Sequence, residues 1–235
     1  MTPASDAAAT LRGKVAILSP HLDDAVYSLG AAISASARAG AQISLVTVFA
    51  GDPESSRPAS PWDRPLGFRT AAEAAGARRD EDRRACELVG ASPVWLPFDD
   101  EHGTPPEGNE LRSSIEQAIG EPDLLLVPGY PLGHPDHMRL AQTVLERRPA
   151  ARLALYAEQP YAAVEGAPPS LPVELSALVP GEPEWRALEA GAAARLRKAR
   201  AWRAYRSQFR HFGYRSLVSV MRYEARHGGE LTAFL

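Results

Sequence analysis

Two short runs, Val15-Ala16-Ile17-Leu18 and Leu124-Leu125-Leu126-Val127, constrain the fold of this chain most. Neither alternates apolar with polar residues. Strands of this kind are buried on both faces, as in a parallel sheet covered by helices. Residues 14–19 predict a first strand. Residues 24–38 carry small and apolar side chains at helical spacing, and Gly40 is a plausible stop. Residues 43–49 (ISLVTVF) read as a β-branched second strand, 70–89 as a charged amphipathic helix, and 94–98 (VWLPF) as a third strand. A helix over 109–119, the strand at 124–127, a helix over 136–147 and a fifth strand at 152–156 complete the series.

Strands alternating with helices predict an α/β fold: a Rossmann-like, doubly wound, mostly parallel sheet with helices on both faces, in a single domain. The expected core covers about residues 14–160. A Pro-rich excursion and a helical region, 160–235, complete the domain, with an extended stretch at 172–180 (PVELSALVP) and one long Arg-rich helix over 184–210. In such sheets ligands bind at the carboxyl ends of the strands, near the switch point of strand order. Residues 51–67 are rich in Pro, Ser and Asp, and a loop of that length predicts a functional or mobile segment.

Composition removes several function classes. Twenty-six basic against 29 acidic residues give a net charge of −3, so no basic excess points to nucleic acid or an anionic membrane. No apolar run reaches the roughly 20 residues that span a bilayer. The start, MTPASDAAATLRGK, lacks the pattern of a signal peptide, so the expected location is cytoplasmic. Cys86 is the only cysteine, which excludes an internal disulfide framework and a Cys-rich zinc module; its place in an amphipathic helix predicts a core residue.

Two motifs fall on the predicted carboxyl edge. His21-Leu22-Asp23-Asp24 ends the first strand, and Gly133-His134-Pro135-Asp136-His137 follows the fourth. Three of the six histidines lie in them. Asp23, Asp24 and Asp136 each suit a helix cap. The set also suits zinc, which in catalytic sites takes three His or carboxylate ligands and leaves one position for water or substrate. His21 and Asp24, three residues apart at a strand-to-helix turn, can reach one ion, and His137 can complete the set. Asp23 is then the adjacent carboxylate left to move a proton. His134 can face the substrate, either to stabilise an oxyanion or to protonate the leaving amine.

With these residues the chain resembles the LmbE/PIG-L family of zinc-dependent N-deacetylases. The family's first motif is usually His-Pro-Asp-Asp after a strand; here Leu22 replaces the proline, as in a PHLDDAV-type branch. The second, His134-Pro135-Asp136-His137, matches as it stands. A helix carrying Arg78, Glu81 and Ala85, and a later one running from Lys198 to Ser207-Gln208, are weaker matches, so the resemblance spans about residues 14–210. It implies one zinc ion held by His21, Asp24 and His137, Asp23 as general base, and His134 as oxyanion stabiliser or proton donor. It further implies Asp136 orienting one of the two histidines, and Arg78 and Asp99 contacting substrate hydroxyls. Where some members carry a tyrosine two residues before the second motif, this chain has Leu132, with Tyr130 nearby.

Other aromatic and histidine residues divide by context. Trp62, in the polar loop, is a candidate sugar-stacking or lid residue. Trp185 and Trp202 are expected on the final helix, packing it against the domain. His102 falls in a loop after the third strand, and His211 and His227 have no partners in sequence. The implied reaction is attack of zinc-bound water on an N-acyl, most simply N-acetyl, group of a small-molecule amino sugar or glycoside. An amidase of another amide, such as a thiol conjugate, would use the same machinery. A receiver-like signalling module that binds magnesium is an alternative of a different class. It needs an acid at the third strand, which Asp99 supplies, and a lysine after the fifth, which residues 153–159 lack.

Overall fold

The computed structural model describes residues 5–100 and 106–235; His102 lies outside them. Eight strands form one mixed sheet. In chain order they are β1 (Ser5–Asp6), β2 (Lys14–Ser19), β3 (Gln42–Thr47), β4 (Ser92–Trp95), β5 (Leu124–Tyr130), β6 (Arg152–Ala157), β7 (Trp185–Glu189) and β8 (Glu230–Phe234). Their spatial order is β1-β7-β8-β6-β5-β2-β3-β4. The helices are α1 (Ala7–Thr10), α2 (Asp24–Arg38), α3 (Ala71–Val89), α4 (Gly108–Ile119), α5 (Pro135–Arg147), α6 (Tyr161–Glu165), α7 (Ala192–Trp202) and α8 (Arg206–His227), and α8 kinks at Gly213.

The five expected strands run parallel from the middle of the sheet to one edge, in the order β6-β5-β2-β3-β4. From β2 the chain builds outward to β3 and β4, then returns to place β5 on the other side of β2. Val15, Ala16 and Ile17 pair with Leu124, Leu125 and Leu126. The two apolar runs are thus neighbours at the point where strand order reverses, which is where an α/β sheet opens a crevice for ligands.

Side chains of β2 alternate between two cores. Val15 and Ile17 join a cluster with Val26, Leu29, Ile33 and Trp202; Ala16 and Leu18 join another with Leu111, Ile115, Leu140 and Val144. Helices therefore cover both faces, and the continuous apolar pattern is explained. On the first face Tyr27 stacks on Trp202, with ring centroids 3.7 Å apart.

The C-terminal third differs from expectation. No single helix spans 184–210. Residues 185–189 form β7, a short turn follows, and α7 begins only at Ala192. Trp185 is therefore on a strand, where it packs edge-on to Tyr130, while Trp202 lies in the core on α7 as expected. Residues 172–180 are not a strand; Val173–Leu175 form a single 3-10 turn. β8 runs antiparallel between β6 and β7 and makes the sheet mixed. The sequence 185–189 (WRALE) carries helix-favouring residues, and pairing with the distant β8 overrides that preference.

β8 is fastened by a buried ion cluster. Lys198 Nζ donates to Glu230 Oε1 at 2.6 Å, to Ser28 O at 3.3 Å and to Glu224. The Glu230 carboxylate accepts the N–H groups of Ala31 and Ala32 in α2, at 2.9 and 2.7 Å. Gly30 permits this, because a Cβ there would lie 3.0 Å from Lys198 Cγ. Removing one member of such a cluster costs about 3–5 kcal/mol, since the remaining charges stay buried. Elsewhere the two weaker motifs meet: Glu81 accepts the backbone N–H (3.0 Å) and hydroxyl (2.7 Å) of Ser207. No helix among the described residues is long and apolar enough to cross a membrane.

Candidate active site

β2 delivers the first motif. Its last residue, Ser19, accepts the N–H of Ala25 on its Oγ at 3.0 Å and donates to the carbonyl of His21 at 2.5 Å. Ser19 thus satisfies the start of α2, a role usually taken by the N-cap residue. Asp23 occupies the N-cap position and makes no side-chain capping bond. Asp24 Oδ2 accepts the N–H of His21 at 2.9 Å, which turns its carboxylate back over the strand end. Leu22 is buried in the core beside α2, so a hydrophobic anchor stands where the first motif was expected to carry a proline.

β5 delivers the second motif. His134 is the N-cap of α5: its Nδ1 accepts the N–H of Asp136 at 3.2 Å, and Pro135 takes the first helical position, where a missing N–H costs nothing. One turn into α5, His137 is completely buried.

Across the β2/β5 crevice three donor atoms converge. His21 Nδ1 and His137 Nε2 are 3.1 Å apart, and Asp24 Oδ2 is 3.3 Å from each. Bonds of about 2.0–2.1 Å in a tetrahedral zinc site place ligand atoms about 3.3 Å apart. The triangle fits that ion in both donor type and size. His134 adds a third imidazole: it, His21 and His137 each offer a nitrogen within 4.8 Å of the others.

The outer nitrogens are held as well. His21 Nε2 lies 3.2 Å from Asp136 Oδ2, and the same oxygen is 3.7 Å from His134 Nδ1. His137 Nδ1 lies 2.6 Å from Glu158 Oε1, a charge contact without the alignment of a linear hydrogen bond. Glu158 follows β6 and went unnoticed in the sequence. The signal was there: a carboxylate in AEQP, just past a buried strand, on the sheet edge that carries both motifs.

Charge follows from these contacts. Burial alone would lower the pKa of His21, but hydrogen bonding to Asp136 and Asp24 raises it to about 9. Burial likewise opposes protonation of His137, and the carboxylates of Glu158 and Asp24 push its pKa well above the ordinary histidine value. Against its own burial, Asp24 is held well below the usual carboxylate range by His137 and His21. Asp23 goes the other way: burial and the neighbouring Asp24 charge raise it to about 7.

The crevice opens into a cavity of about 480 Å3, within the usual range for small-molecule sites. His21, Asp23, Asp24 and His134 line it, with Phe49, Trp62, Tyr161 and Phe212 as aromatic wall. Trp62 is 42% exposed. Arg78 and Asp99 also line it, and each is paired with the 51–67 loop: Arg78 bonds Asp63, and Asp99 Oδ1 lies 2.5 Å from Arg57. Tyr161, Gln208 and Phe212 are wall residues that sequence reasoning missed, because α6 and the kinked α8 reach the cavity only through tertiary packing. β6 is followed by Glu158 and Gln159, so nothing supports the lysine of a signalling module.

The chain is similar to known deacetylases. The 2'-N-acetylparomamine deacetylase of Streptomyces fradiae is 31% identical over 172 residues, 64% of this chain and 58% of that protein. The chain thus spans less than two thirds of that relative's length. Among solved structures, the A40926 pseudoaglycone deacetylase superposes with a TM-score of 0.77 at 28% identity, covering 95% of this chain and 96% of the other. A triple mutant of a deacetylase from the teicoplanin biosynthetic pathway gives 0.76 at 26% identity, with 94% and 97% covered. Residues 16–147 match the PIG-L family, described as GlcNAc-PI de-N-acetylase. That match covers more than half of the chain and includes both motifs and the crevice between them: the chain belongs to the PIG-L family.

Proposed function

We propose that this chain is a zinc-dependent amidohydrolase that removes an N-acetyl group from an amino sugar carried by a glycosylated small molecule. One observation carries the reading: the triangle of His21 Nδ1, Asp24 Oδ2 and His137 Nε2, with edges of 3.1–3.3 Å, opens onto a cavity that Asp23 also lines. Family membership supports it, as do the names of relatives that deacetylate 2'-N-acetylparomamine and the A40926 pseudoaglycone.

His21, Asp24 and His137 would hold a single zinc ion. When bound, zinc supplies a Lewis acid that acidifies a water molecule and polarises the amide carbonyl. The protein's own residues do the rest. Asp23, outside the ligand triangle and with a pKa near neutrality, takes the proton of the attacking water. His134 accepts the Asp136 N–H on Nδ1, so its neutral ring carries the proton on Nε2 and can donate to the oxyanion that develops on the carbonyl. The proton returned to the departing amine comes from Asp23 or His134. The aromatic wall offers flat faces to sugar rings. Arg78 and Asp99 reach substrate hydroxyls by exchanging their present loop partners.

The test is release of free amine from 2'-N-acetylparomamine, an N-acetylglucosaminyl glycopeptide, free N-acetylglucosamine and an N-acyl thiol conjugate. Amine is expected from at least one of the two glycosides and not from the thiol conjugate alone. Silence on every N-acetyl sugar by zinc-loaded protein would sink the proposal.

A further inference from the structure

His21 and His137 are each gripped from behind, but by different parts of the chain. Asp136, in the second motif, lies on the histidine of the first, at 3.2 Å from His21 Nε2. His137, in the second motif, is backed by neither motif. Its Nδ1 faces Glu158 Oε1 at 2.6 Å, beyond the end of β6, and both side chains are fully buried. We propose that Glu158 is a positioning residue for metal binding. It fixes His137 with the proton on Nδ1 and Nε2 toward the ion, and so ties metal retention to the third strand of the crevice.

Three observations carry this. First, the tautomer follows from the contacts. Nε2 is the nitrogen that meets His21 Nδ1 and Asp24 Oδ2, so Nδ1 is left to donate, and Glu158 is the carboxylate beside it. A carboxylate behind a ligating imidazole orients the ring and strengthens it as a donor. Second, Glu158 is a buried acid whose charge is costly in that place. It is completely buried, and the ring nitrogen that faces it is His137 Nδ1, 2.6 Å away. Third, its other oxygen is already used: Oε2 accepts the N–H of Leu132 at 3.2 Å, and the Glu158 N–H donates to Tyr130 O at 2.6 Å. Glu158 thus holds the loop that carries His134 and, through its second oxygen, the histidine one turn into α5. A glutamine there has one acceptor oxygen for two donors, so it keeps the shape and loses one contact.

The inference rests on the metal reading above, and the experiment separates the two. Zinc affinity is measured by chelator competition on wild type, Glu158→Gln and His137→Ala, with thermal unfolding of the metal-stripped proteins in parallel. Long-range 1H–15N spectra of the His137 ring are recorded on zinc-loaded wild type. The expected result is a loss of about 10–100-fold in zinc affinity for Glu158→Gln, with cooperative unfolding retained, and a His137 ring protonated on Nδ1 and metallated on Nε2. Unchanged zinc affinity with only a lowered melting temperature would make Glu158 a loop tie and overturn the proposal. So would a ring bound through Nδ1, and that spectrum decides even if the glutamine variant does not fold. If wild type binds no zinc, or His137→Ala binds as tightly as wild type, the metal reading itself falls and Glu158's role with it.

Discussion

Ser19 Oγ accepts the N–H of Ala25 at 3.0 Å, six residues on, and so does for α2 what an N-cap carboxylate ordinarily does. The two carboxylates that follow the strand are thereby released from capping. Asp24 turns back to His21, and Asp23 is left facing the cavity.

That division of labour predicts a defined cost for Ser19→Ala. The variant loses the cap and the bond to the His21 carbonyl, at about 1–2 kcal/mol together. For a domain of this size that is a fall in melting temperature of roughly 2–8 °C. Calorimetry on metal-stripped protein reads it directly. A melting temperature unchanged from wild type would mean that another group caps α2.

The 51–67 loop is clasped to the domain by Arg57–Asp99 and by Asp63–Arg78. Arg57 is partly exposed, so the first pair is worth less than about 1 kcal/mol to global stability. Its effect is expected to be local. Arg57→Ala should leave the melting temperature nearly unchanged while speeding proteolytic cleavage within 51–67 and raising KM. Equal cleavage rates in wild type and variant would show that the pair does not hold the loop.

Asp82 predicts a pH dependence away from the metal triangle. It accepts Trp95 Nε1–H and the Tyr205 hydroxyl, both at 2.7 Å, in the core between α3, β4 and α7. Burial outweighs those donors and raises its pKa from 3.8 to about 6. The folded state therefore holds this proton more tightly than the unfolded chain. Its contribution is fully present below about pH 4 and is lost as pH rises through about 6. Asp82→Asn removes the titration, so its destabilisation relative to wild type should be larger near pH 4.5 than near pH 7.5. Paired urea titrations at the two pH values measure the difference, and the reverse ordering would contradict the assignment.

Much of the candidate site was legible because its residues sit in contiguous motifs at strand ends. The strands themselves were legible because burial on both faces leaves an uninterrupted apolar run. Leu22 shows what such reading lacks: it looked like an unexplained departure, and its role is to enter the core beside α2. Glu158 shows the same limit for the site, since one acid past a strand carries no pattern until the strand order puts it behind His137. β7 and β8 were hidden for a related reason. Each is five residues long; pairing between distant segments makes them strands, and the buried Lys198–Glu224–Glu230 cluster fastens β8.

The most direct measurement is zinc content and amine release, determined side by side on wild type, His137→Ala and Asp23→Ala. The expected pattern is one zinc per chain in wild type, zinc lost in His137→Ala, and zinc kept in Asp23→Ala with turnover down by about 10²–10⁴-fold. An Asp23→Ala protein that holds zinc and turns over at the wild-type rate would contradict the division of labour between Asp23 and Asp24.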